Sequence, residues 1–166
     1  MCLTIDKSKH LKRTGLFSFS VKPIVAENDI VVYKCIQKCE DGSLKTPYRS
    51  MPIQFDDNGL CELDCQYDGL IITRKFGEKE FGENQIYFKN RRFPFNFLPP
   101  YYVSKCGYGF HAYTDMISAL RRAACGRWVV LTAIIPKGAH VFYGMNDDIC
   151  ASRMIIYEKP NHLIIA

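Results

Sequence analysis

The chain has 166 residues, 48% of them hydrophobic and 23% charged, and a net charge of +5. Those proportions exclude a disordered or collagen-like chain and fit one domain, residues 1–166, with room for a real core. Lys and Arg are spread along the chain without forming a block, which argues against a nucleic-acid footprint, and no apolar run approaches the roughly 20 residues of a membrane span.

The start, residues 1–12, is polar and lacks the apolar stretch of a signal peptide. A cytoplasmic protein with reduced thiols is therefore expected, its eight cysteines serving mostly as small core residues. The 10 Tyr and 11 Phe, against a single Trp, favour half-buried pleated surfaces. MCLTI at 1–5 predicts a short strand, followed by a polar loop with a solvated His10 and an extended piece ending at Pro23. DIVVYKCIQKC at 29–39 is rich in β-branched residues and predicts a strand, and Glu40, Asp41 and Gly42 predict the turn of a hairpin. TPYRSMPIQF at 46–55 is extended, its two prolines suiting an edge or a loop.

DDNG at 56–59 predicts a turn, the alternating stretch 60–67 a strand, and GLIITRKF at 69–76 another strand. Residues 77–84 predict an exposed loop and 86–89 a short strand. RRFPFNFLPPYY at 91–102 is too proline-rich for regular structure and suits a loop over an apolar groove. The segment 108–156 organises the rest, running from a strand end into a capped helix, an apolar strand, a Pro-Lys-Gly turn and a further strand.

Thr114 or Asp115 caps that helix, which spans about 114–125, and Ile117, Leu120 and Ala124 fall at the spacing that would face the sheet. Arg121 and Arg122 suit its C-terminal end, and Gly126 suits the residue that ends it. Residues 128–135 are apolar on both faces, as in a central strand, and 153–158 with 162–165 predict a terminal hairpin around Lys159, Pro160 and Asn161. The fold class is α+β, a mostly antiparallel β-sheet, continuous or split, with one principal helix.

Few residues carry an obvious chemistry. If Met1 is removed, Cys2 bears both a thiol and a free amine, a self-contained nucleophile and base; the alternative is a strand cysteine at a frayed end. Cys35 and Cys39, and Cys61 and Cys65, form two evenly spaced pairs. Residues four apart on a strand lie roughly 13 Å from each other, so no metal site is expected from the first pair. His111 stands at a strand end before a helix, between Phe110 and Tyr113, either as a ligand-facing imidazole or as a corner histidine satisfied by the backbone.

His140 and His162 lie on terminal strands and read as structural. There is no Gly-x-Ser-x-Gly elbow or glycine-rich phosphate loop, and Asp147 and Asp148 read as turn residues rather than an acid–base pair. The catalytic candidates are Cys2 and His111. The ligand-binding candidates are Tyr33, Lys34, Arg49, His111 and Tyr113, whose aromatic faces and cations suit a nucleotide-like or other anionic ligand, NAD included.

MCL at the start, DIVVYK, PYRS, GFHAY and IPKGAHVFYG together resemble a family of small proteins from gut bacteria and their phages, a likeness that implies origin rather than activity. More loosely, the chain resembles the ADP-ribosyltransferase-like fold. Tyr33 and Lys34 stand where that family has an aromatic–Arg pair, residues 110–114 where it has a Ser-Thr-Ser strand entering a helix, and 151–156 where a strand is introduced by the catalytic Glu. Here Lys replaces Arg, the Ser-Thr-Ser is absent, and no Glu precedes Met154. The resemblance therefore implies a binder or a divergent enzyme. Three functional expectations follow: a protein binding a small anionic ligand or a partner; a divergent NAD-using or N-terminal-cysteine enzyme; and a phage or mobile-element protein docking on a host factor through an apolar patch around 93–102.

Overall fold

The computed structural model describes residues 3–13, 19–21, 23–47, 50–64, 83–88, 102–106, 109–125 and 128–159. The first elements are β1 (Leu3–Thr4), α1 (Lys7–His10), β2 (Leu11–Arg13), β3 (Phe19–Val21), β4 (Ile24–Val25) and β5 (Ile30–Lys38). Next come β6 (Leu44–Lys45), β7 (Pro52–Ile53), β8 (Leu60–Asp64), β9 (Glu83–Phe88) and β10 (Tyr102–Cys106). The chain then forms β11 (Phe110–Tyr113), α2 (Met116–Ala124), β12 (Trp128–Ile135), β13 (His140–Tyr143), β14 (Asp148–Ala151) and β15 (Arg153–Tyr157). The protein is thus α+β, mostly antiparallel sheet with α2 as its principal helix.

The main sheet runs β4-β13-β14-β11-β5-β12-β15-β8, with β6 and β7 added beside β5. β14 and β15 are consecutive along the chain, parted only by Ser152, yet β11, β5 and β12 stand between them in this order. In a flat sheet that displacement would be about 19 Å, four inter-strand spacings, whereas one residue advances about 3.4 Å. The order is therefore satisfied only by a sheet folded back on itself, with the chain crossing from one layer to the other at a bend. Ser152 makes that corner: its amide donates to the His140 carbonyl at 2.9 Å, and its hydroxyl accepts from the His140 amide at 3.0 Å.

The interior lies between the two layers. Ala112, Val141, Ile149 and Ala151 from one layer meet Val32, Ile36, Cys61, Ala133, Ile135, Met154 and Ile156 from the other. The outer face of β5 and β12 is covered by α2. Asp115 caps this helix, accepting from the Ser118 amide at 2.7 Å, and Arg121 and Arg122 occupy its last turn. The C-cap is Cys125 in right-handed conformation; Gly126 lies outside the described residues.

Two expectations are corrected. Ile117, Leu120 and Ala124 do not face the sheet: all three are exposed, and α2 docks through Ala119 and Ala123. The reason is distance, since the small alanines let the backbone approach closely enough for the Cys35 thiol to donate to the Ala119 carbonyl at 3.4 Å. His10 is not solvated but fully buried. Its Nε2 accepts from the Tyr143 amide at 2.8 Å, and its ring lies 5.2 Å from that of Phe142.

His10 closes a clasp in which residues 3–6 run along the end of β13. The Asp6 amide donates to the Tyr143 carbonyl at 2.9 Å, and the Met145 amide to the Thr4 carbonyl at 3.1 Å. Gly144 sits closely at the crossing: a Cβ there would lie 1.9 Å from Asp148 Oδ1 and 3.0 Å from Leu3 Cγ, so the Asp148 side chain would have to move.

The β5–β6 hairpin, the turn before β8, β12 at Trp128–Ile135 and the strand at 153–157 are as the sequence predicts. The helical turn α1, the β2–β3 hairpin and β10 were not expected, and β9 begins at Glu83 inside the expected loop. The strand expected at 69–76 and the second arm of the terminal hairpin lie outside the described residues, as does the groove-covering loop expected at 91–102 apart from Tyr102, which opens β10.

Candidate functional site

The folded sheet has a joint, the meeting of β5 and β11. One edge of β5 is paired with β12 along its length, from Gln37 opposite Trp128 to Ile30 opposite Ile135. On the other edge, Tyr33 pairs with Tyr113 of β11, and Gln37 and Lys38 pair with β6. Between them, Lys34, Cys35 and Ile36 have no strand neighbour on that edge among the described residues. The two layers part at this point.

Strand alternation decides which side chains meet there. Tyr33, Cys35 and Tyr113 lie on the outer face and pack under α2 with Ala119 and Ala123. Val32, Ile36 and Ala112 face the interior, and Lys34, between Val32 and Ile36, shares their side. The four described ligand-binding candidates therefore come to one joint but not to one face. Tyr33, His111 and Tyr113 are half-buried; Lys34 is 6% exposed. Arg49 and Cys2 lie outside the described residues.

Lys34 crosses the joint. Its Nζ donates to the main-chain carbonyl of His111, so a side-chain hydrogen bond holds the layers where strand pairing stops. Burial holds its amine down, to a pKa of about 8, with the Cys150 and Cys35 thiols pulling weakly the other way. No carboxylate among the described residues contributes to that balance. Among the described residues the buried ammonium meets a carbonyl and two thiols, so its charge has no compensating carboxylate there.

His111 pairs across β11–β14 with Cys150, and its Nδ1 lies 3.9 Å from the Cys150 Sγ. The thiol is fully buried, so the pair lacks the open approach that a thiol nucleophile uses. Cys150 was not among the sequence candidates. Its only signal was a cysteine in a strand, and its proximity to His111 depends on the β11–β14 register.

Around the joint the loop before β14 is fixed. Asp147 has φ 55, its carbonyl accepts from the Thr114 amide at 2.7 Å, and its carboxylate accepts from the Ser118 hydroxyl at 3.3 Å. It is a turn residue tied to the start of α2, in line with the sequence. His140 is half-buried, and desolvation lowers its pKa. At the corner Ser152 is buried and Arg153 points outward to Asp64, at 3.5 Å.

No protein-family model, curated protein or solved structure matches the chain. No helix among the described residues is long and apolar enough to cross a membrane.

Proposed function

We propose that the joint between β5 and β11 binds a small anionic ligand of nucleotide type, with Lys34 as its counter-charge. The observation that carries this reading is the amine without a carboxylate partner among the described residues: Lys34 is buried where β5 and β11 part, and the groups acting on it there are a carbonyl and two thiols. An anion entering the gap takes over the ammonium that now rests on the His111 carbonyl. Charge-assisted contacts of this kind are the strong ones in a site shielded from water.

A thermal-shift screen of nucleotides and NAD tests the reading. A binding anion at about 100 times its Kd stabilises by roughly 2.7 kcal/mol, which raises Tm by a few degrees. The gain disappears in Lys34→Met. Absence of stabilisation by every nucleotide and by NAD overturns the reading.

A second reading, a divergent NAD-using transferase, rests on the same joint. It needs a group to stabilise positive charge developing on a ribose, and Arg153 at the corner has the wrong sign for that task. Release of nicotinamide from NAD, abolished by His111→Ala, would favour it over simple binding; NAD bound without turnover supports the binder.

A further inference from the structure

The outer face of α2 is built in reverse of the usual order, because the helix turns its alanines to the sheet and its larger apolar side chains outward. Met116, Ile117 and Leu120 are 50%, 59% and 49% exposed, and Ala124 continues the same stripe at the i, i+3, i+7 spacing from Ile117. Contiguous apolar stripes of this kind mark contact surfaces.

The charges beside the stripe say what fits it. Ser118 and Arg121, three apart, lie on one edge of the stripe. Ser118 holds the Asp147 carboxylate at the N-terminal end, and Arg121, exposed, stands nearer the C-terminal end. The edge is therefore negative at one end and positive at the other. A two-fold axis in the contact plane, perpendicular to the helix, keeps this edge on the same side while reversing its direction. Two copies related in this way set opposite charges against each other at both ends.

We propose that α2 is a homodimer seam, in which two copies pack antiparallel about an axis near Leu120, burying Met116, Ile117 and Leu120 and opposing Arg121 of each copy to Asp147 of the other. The inference is independent of the ligand reading. A helix of this length presents only about 13 Å of stripe, below the extent of a standard interface, so the dimer is weak, with Kd roughly micromolar or above.

Sedimentation velocity of the full chain, from about 1 to 500 μM, reads the outcome against that expected affinity. The wild type shifts from monomer to dimer across the range. Ile117→Glu and Leu120→Glu, at exposed positions that leave Tm unchanged, each weaken the association at least ~10-fold. Added salt weakens the wild-type dimer and has less effect on Arg121→Gln. A chain that stays monomeric throughout, with or without another protein on this face, overturns the proposal. So does a dimer that both glutamate variants leave intact.

Discussion

Lys34 sets the energetics of the joint. Its amine titrates at about 8 in the folded chain and at 10.5 when free of the fold, so between those values the unfolded chain holds a proton that the folded chain has released. Stability must then rise with pH across that window, by up to about 3 kcal/mol, and be flat for this group below it. Chemical denaturation of the wild type and Lys34→Met at several pH values between 8 and 10.5 reads the effect of Lys34 together with its coupling to the Cys35 and Cys150 thiols. The wild type gains on the variant as pH rises. His10 shows the opposite economy: a polar ring made harmless in the interior because its bare nitrogen meets the Tyr143 amide.

At the scale of elements, α2 is held by its start and by two alanines. The Asp115 carboxylate satisfies the Ser118 amide, and the loop carrying Asp147 docks on Thr114 and Ser118 just beside it. Asp115→Ala should therefore cost about 1 kcal/mol in global stability, read from denaturant midpoints, and should speed hydrogen exchange in the first turn of the helix. The same element shows where periodicity stops being informative. Spacing identified an apolar stripe at Ile117, Leu120 and Ala124, and a helix with one such stripe usually buries it. Ala119 and Ala123 offered a second, smaller stripe, and the choice between them depends on how closely β5 and β12 admit the helix backbone. Nothing local to 116–124 encodes that distance. β12, by contrast, was legible because a run apolar on both faces has one stable place, inside a sheet.

For the molecule as a whole, the strands with β-branched or alternating patterns and the turns at Gly42 and Gly59 could be read from the sequence, each being decided within a few residues. The folding-back of the sheet could not. It depends on β14 and β15 leaving Ser152 for different layers, and on β5 losing its partner after Tyr33, both of which are pairings between distant parts of the chain. The sequence did bring Tyr33, Lys34, His111 and Tyr113 to notice by residue type, while the separation of Lys34 from the tyrosines onto the opposite face follows from the strand pleat at the joint. His10 reads as part of a polar tail in the sequence because the residues it is buried against, Phe142 and Tyr143, are distant in the chain.

The central claim is that Lys34 carries a buried amine, without a carboxylate partner among the described residues, at the parting of the layers. Carbon-13 labelling at the lysine ε position, with NMR titration of the wild type assigned through Lys34→Met, measures it directly. The account predicts one lysine titrating near 8 that moves upward when a nucleotide monophosphate is added. A Lys34 resonance with the ordinary midpoint of about 10.4, unmoved by the nucleotide, would contradict it.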